Sequence, residues 1–201
     1  MARQDRALRT RQALIRAAAE VFAHEGFAPA SLTTISRQAG VSNGALHFHF
    51  GNKSALAQAV EDEAAQTLHR ITQQVTLDDR DPLRELVDAT HELSRRLADD
   101  IVVRAGFELC GDAARGGVAE LRHAWRQWVE DTLRRAERDG RLAEEVSADT
   151  AAVAVVAATV GLGVLGSRDQ EWLSEQSVTR LWSLLLPGLV TPRDTPTPQP
   201  L

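Results

Sequence analysis

Between Ser31 and Lys53 the chain reads SLTTISRQAGVSNGALHFHFGNK, and its chemically equipped side chains are Asn43, His47 and Phe48. A carboxamide such as Asn43 can pair with an adenine edge, while Ala45 and Phe48 can pack against a thymine methyl. His47 can hold a phosphate oxygen, a contact that sets register without reading sequence. Gly44 leaves room for a close approach. An exposed Phe beside Asn and His ill suits a surface that meets only water, and it suits one that enters a major groove. His47 and His49 raise the separate prospect of a metal pair. Two residues apart on a helix, their side chains point about 200° apart, so no shared metal is expected.

Such side chains need a short helix held at a fixed angle to a neighbour. Ser31 can N-cap a first helix, whose Leu32, Ile35 and Ala39 fall at helical spacing and face inward. Gly40 stops it, as glycine does where the chain turns through φ > 0. Ser42 can cap the next helix, with Leu46 and Phe50 one turn apart and directed into the same small core. The outward arc then carries Asn43, Gly44, Ala45, His47 and Phe48.

The remaining 201-residue sequence is read in the same way. A first helix is expected from Asp5 to His24, with Leu8, Ile15, Ala18, Ala19 and Phe22 as its apolar stripe and Gly26 as its end. Arg3, Arg6, Arg9 and Arg11 lead into it, as a flexible basic arm or a solvated terminus. A long helix follows from Asn52 through Val75. Asp81-Pro82 opens the next, Asp as cap and Pro at the first helical position, with Leu83, Leu86, Val87, Thr90, Leu93 and Leu97 along one side. A short helix is expected over 101–110, a loop over 111–117, and a helix over 118–138 ended by Asp139-Gly140. Ser147 caps an apolar helix over 148–165. A final helix over 170–186 is stopped by Pro187-Gly188. The tail from Thr191, with four prolines in its last ten residues, is expected to be disordered. No stretch alternates with period two. The expected fold is all-α, with about nine helices.

Net charge is −5, yet residues 1–60 carry seven basic side chains against three acidic ones, leaving +4 there and −9 on the rest. A basic head on an acidic body fits a small nucleic-acid reader joined to a second function. The N-terminus lacks the apolar run of a secretory signal. Residues 151–165 form too short a run for a membrane span and read as a buried helix. The expectation is a cytoplasmic protein without membrane attachment. Cys110 is the sole cysteine, so no internal disulfide is possible; it reads as a small apolar residue, or as a redox sensor. No spaced carboxylate pair, Cys–His pairing or glycine-rich phosphate loop points to an enzyme, and no cofactor is expected.

The segment SLTTISRQAGVSNGALHFHFGNKSAL resembles the helix-turn-helix signature of the TetR family of transcriptional repressors. The order of helices around it also resembles that family. More narrowly, MARQDRALRTRQALIRAAAEVF, GALHFHF, VVRAGFELC and the pair Trp125-Arg126 look like the γ-butyrolactone receptors of actinomycetes. His47 stands where that family usually has Tyr, and a His there adds a charge that responds to pH.

The resemblance implies a DNA-binding domain over 1–51, a ligand-binding and dimerisation domain over 52–190, and a tail over 191–201. It implies operator contacts from Thr33, Asn43, Gly44, Ala45, His47, Phe48, His49 and Lys53, the last with backbone N–H groups near Ser31 and Asn52 on phosphate. It implies a homodimer on a near-palindromic double-stranded operator, released by a small hydrophobic signalling ligand. The bound compound would be a γ-butyrolactone or a relative of one, or a drug, antibiotic or acyl compound if the chain governs efflux or catabolism.

The pocket is expected around Trp125, with Trp128 on the same helix face able to exchange roles with it. Val102, Val103, Phe107, Leu121, Val156 and Val160 would supply apolar wall, and Thr90 and Thr159 polar contacts. Across the two-fold axis, Ala154, Ala158 and Gly161 would permit close helix approach, with Leu181, Trp182 and Leu185 filling the gaps.

Overall fold

A computed structural model describes residues 2–76, 81–111 and 120–190. Among the described residues there are nine α-helices: α1 (Ala2–Glu25), α2 (Leu32–Gln38), α3 (Asn43–His49), α4 (Lys53–Thr76), α5 (Pro82–Asp99), α6 (Ile101–Leu109), α7 (Glu120–Arg138), α8 (Ala148–Gly166) and α9 (Glu175–Leu189). A 3-10 turn, Gln170–Leu173, precedes α9. One isolated antiparallel bridge, Leu142 with Val190, ties the end of α9 to the α7–α8 connection. The expected loop beyond Gly111 and the tail from 191 lie outside the described residues.

Capping residues set the boundaries. Ser31 Oγ accepts from Thr34 N and Ser42 Oγ from Ala45 N, each at 3.1 Å. Asp81 and Ser147 cap α5 and α8 in the same manner. Asp100 ends α5 and accepts from the first amides of α6, so the two helices meet at one residue. Gly40, at φ 67°, makes the turn between α2 and α3.

Three details differ from the sequence reading. α1 begins at Ala2, which places Arg6, Arg9 and Arg11 on a helix and not on a flexible arm. Leu8 is 61% exposed, because α1 overshoots the core at that end. Pro187 lies within the last turn of α9, which continues to Leu189, and Ser174 caps that helix after the separate 3-10 turn.

Two cores result. In the head, Leu14, Ile15 and Phe22 of α1, Ile35, Leu46, Phe50 and the first turns of α4 pack together. Val102, Ala105 and Leu109 of α6 complete that core. The body core joins the second half of α4 to α5, α7, α8 and α9, with Val103 turned into it from α6. Each fully buried Leu or Ile contributes about 1.5–3 kcal/mol. Gly106 lets α6 lie against α4: a Cβ there would stand 2.5 Å from Ala64 Cβ.

Candidate DNA-reading head and ligand cavity

On the head, α3 presents Asn43, Gly44, His47 and Phe48 to solvent, and Phe48 is 83% exposed. Ala45 and His49 are half-buried, and the His49 ring meets Phe48 edge-on at 5.2 Å. Thr33 is exposed on α2. The buried Ser36 donates to Asn43 Oδ1 at 2.6 Å and so locks α3 to α2. That bond occupies one lone pair of the Asn43 carbonyl oxygen and leaves its NH2 group to donate.

Lys53 takes a different place from the expected phosphate contact. Its three Nζ hydrogens reach the carbonyls of Phe27, Ala28 and Ala30 at 2.7, 2.9 and 2.9 Å, with Nζ 4.6 Å from the Phe27 ring centroid. It fastens the α1–α2 loop to the start of α4. The amides near Ser31 and Asn52 are also engaged, since Ser31 Oγ holds Thr34 N and Asn52 Oδ1 holds Ala55 N at 2.8 Å. Positive charge beside the reading surface comes instead from the exposed Arg37 of α2 and from α1. Arg6 and Arg9 line a groove with Ala39 and Val41 of the α2–α3 turn, and the Arg11 guanidinium lies 5.2 Å from the Phe50 ring centroid.

The body holds a cavity of 390 Å³ between α5, α6, α7 and α8, open to solvent where the exposed Val164, Ser167 and Arg168 line it, within the size range of small-molecule sites, roughly 300–1,000 Å³. Trp125, Phe107, Thr159 and Val160 line it as expected, together with Leu93, Leu97 and Leu173. Trp125 Nε1 donates to Thr159 Oγ1 at 2.8 Å, and Thr159 in turn donates to the Val155 carbonyl. The indole N–H is therefore already paired. Trp128 stacks on Trp125 with ring centroids 5.3 Å apart, away from the cavity.

The other expected wall residues fall elsewhere. Val102 belongs to the head core, and Val103 and Leu121 are buried in the body core. Val156 is half-buried against the body core without lining the cavity. Thr90 is buried and donates to the Leu86 carbonyl at 2.7 Å.

The cavity also has a charged part that apolar helical stripes do not reveal: Arg104, Glu108, Arg122 and Arg168. The sequence carries a signal for part of it: Arg104, Phe107 and Glu108 fall at three- and four-residue spacing, so they share one face of α6. Burial pushes the Glu108 carboxyl above its ordinary range, opposed by Arg104 and His24. Cys110 lies outside the cavity, 3.7 Å from Glu61 Oε1, and burial pushes its thiol up. A raised thiol disfavours the thiolate that redox sensing needs.

On α8 and α9 the apolar residues divide between two surfaces. Trp182 is 2% exposed within its own subunit, so it is core and not a gap-filler between subunits. Ala154 is exposed, while Ala158, Gly161, Leu181 and Leu185 are half-buried. Val153 and Leu184, at 72% and 78% exposure, are the most outward large apolar residues there, and Val164 and Leu165 near the end of α8 are exposed as well. The expectation of a wholly buried helix over 151–165 holds for only one face of α8.

Residues 14–60 match the profile of bacterial regulatory proteins of the tetR family, and residues 80–191 match the tetracyclin repressor-like C-terminal domain. The A-factor receptor protein of Streptomyces griseus is 30% identical over 196 residues, covering 96% of this chain and 68% of that protein. The HTH-type transcriptional regulator SrpR of Pseudomonas putida is 28% identical over 88% of this chain and 85% of its own. An ArpA-like γ-butyrolactone receptor of known structure superposes with a TM-score of 0.80 at 29% identity, over 92% of this chain and 90% of that one. CprB of Streptomyces coelicolor, solved with its operator sequence, gives 0.78 at 28% identity over 92% and 90%. With an exposed helix-turn-helix and a family match in each half, the chain belongs to the TetR family of bacterial regulatory proteins.

Proposed function

We propose that this protein is a homodimeric transcriptional repressor that leaves its operator when a small signalling molecule fills the body cavity. The observation that carries the reading is the double role of α6. Phe107 lines the cavity, while Val102, Ala105 and Leu109 of the same helix are part of the head core. A ligand that displaces α6 must disturb the packing of α1 and α4, and with it the position of α3.

Two reading helices must stand about one turn of DNA apart, roughly 34–36 Å, to enter successive major grooves. Ligand and operator are thus linked by a coupling free energy through that separation. The outward apolar faces of α8 and α9, with Val153 and Leu184, are the surfaces that would pair across the two-fold axis. The site of action is the cytoplasm, where the operator is.

Similarity to receptors named for γ-butyrolactones supports a ligand of that type or a relative of it. A second reading, control of hydrophobic drug efflux, draws on NalD, a repressor of a multidrug efflux pump, which superposes at TM-score 0.71 and 25% identity over 94% of this chain and 100% of that one. Thermal-shift titration with a panel of lactones and efflux-pump drugs separates the two.

The primary test is selection of duplexes from a random pool by the full-length protein. An inverted repeat bound by a dimer, with affinity falling steeply as salt rises, is the expected result. Failure to enrich any duplex removes the DNA-reading function.

A further inference from the structure

The inference concerns the chemical class of the ligand and rests on the cavity reading just given. α7 and α8 run antiparallel. Glu137 Oε1 accepts from Ala148 N at 2.9 Å at one end of the pair, where Arg134 also lies 3.6 Å from Asp149. Farther along, Trp125 meets Thr159. Continuing past that bond, toward the start of α7 and the end of α8, Arg122 lines the cavity on one helix, and Val160, Gly163 and Val164 line it on the other before Ser167 and Arg168 beyond its end.

α6 adds to the same end. Arg122 Nη2 donates to the Phe107 carbonyl at 3.3 Å, which brings the Glu108 turn of α6 beside it. The cavity is therefore apolar around Trp125, Leu93 and Val160 and cationic at one end, with three guanidiniums against the single carboxylate of Glu108. Arg104 faces Glu108 and offsets it. Among the described residues, Arg122 and Arg168 form no ion pair.

A neutral lactone can accept a hydrogen bond from a guanidinium but carries no charge to match a pair of them. A carboxylate does, since the planar guanidinium fork matches it and the bonds are charge-assisted. We infer that the cavity takes an anionic amphiphile, an alkyl body against Trp125 and a carboxylate at the end where Arg122 and Arg168 stand. The ring-opened hydroxy acid of an alkyl lactone, or a short acyl acid, has that form.

A matched pair of probes tests this: γ-decalactone and 4-hydroxydecanoate, one carbon skeleton in neutral and anionic form. Binding to the full-length protein is followed by tryptophan fluorescence. The carboxylate is expected to bind at least about tenfold more tightly than the lactone. The double variant Arg122→Gln/Arg168→Gln is expected to abolish that preference, the carboxylate losing at least about tenfold more affinity than the lactone. Both side chains reach the surface, so the variant should melt like the parent.

Equal or tighter binding of the lactone overturns the anion assignment alone and leaves the cavity in place as the site. A preference for the carboxylate that survives the double substitution also overturns it. Binding of neither probe counts against the cavity reading itself, and the anion assignment falls with it.

Discussion

The indole N–H of Trp125 is paired with Thr159 across the α7–α8 interface, at 2.8 Å and wholly out of water. One bond therefore both closes the cavity wall and registers the two helices that carry it. Thr159→Val removes the acceptor and leaves a buried donor unsatisfied, with an expected loss of about 1–3 kcal/mol in urea unfolding. Trp125→Ala is expected to keep operator binding and lose ligand-induced release, read by gel-shift titration. Trp125→Phe serves as the milder companion, because truncation to Ala of a buried Trp costs about 3–5 kcal/mol. Undiminished release in both variants would remove Trp125 from the ligand site.

Lys53 offers a contrast between structural and electrostatic roles. Because its ammonium is spent on three backbone carbonyls, Lys53→Met should destabilise the head by about 1.5–3 kcal/mol. Operator affinity should fall only as far as the head loosens. The slope of log K against log salt should match that of the parent, since no phosphate contact is lost. A slope shallower by about one charge would assign Lys53 to DNA after all.

Glu85, 1% exposed, is held by Arg135 at 2.6 Å, and Thr76 Oγ1 approaches it from the end of α4 at 3.5 Å. Arg135→Met strands the carboxylate and is expected to lower stability by about 3 kcal/mol, the bottom of the range for broken buried pairs because Arg135 keeps some solvent contact. Glu85→Leu combined with Arg135→Met should recover most of that loss. A double variant no more stable than the single one contradicts this account.

Glu108 supplies a pH dependence. Burial is the larger influence and raises its carboxyl, against Arg104 and His24. A carboxyl raised on folding holds its proton more firmly in the native state. Its contribution is therefore present at acid pH and is lost as pH rises through the folded value. Glu108→Gln, which cannot ionise, should melt higher than the parent at neutral pH. The difference should shrink as pH falls toward the ordinary glutamate range, about 4.3. Parallel melting curves across that range would contradict it.

Much of the architecture is legible because it is local. Ser31, Ser42, Asp81 and Ser147 announce helix starts within three residues of the amides they cap, and helical spacing exposes the faces. What helical spacing leaves open is which partner a face meets. Val102 and Val103 are neighbours on α6, yet they enter different cores. Lys53 finds its carbonyls more than twenty residues back along the chain, a relation no helical period carries. In sequence Trp182 reads as interface because α9 is apolar on two sides, and only tertiary packing decides which side is interior. The cationic end of the cavity stayed hidden for a related reason: arginines on an amphipathic helix read as solvated until the neighbouring helices are in place.

α6 is separated from the rest of the head core by some forty residues of chain, yet it supplies Val102, Ala105 and Leu109 to that core. A fragment ending after the family's N-terminal match at residue 60 would expose that seam to water. Head and body should therefore melt as one cooperative unit, with calorimetric and van't Hoff enthalpies in agreement, and a grafted head would need α6 carried with it.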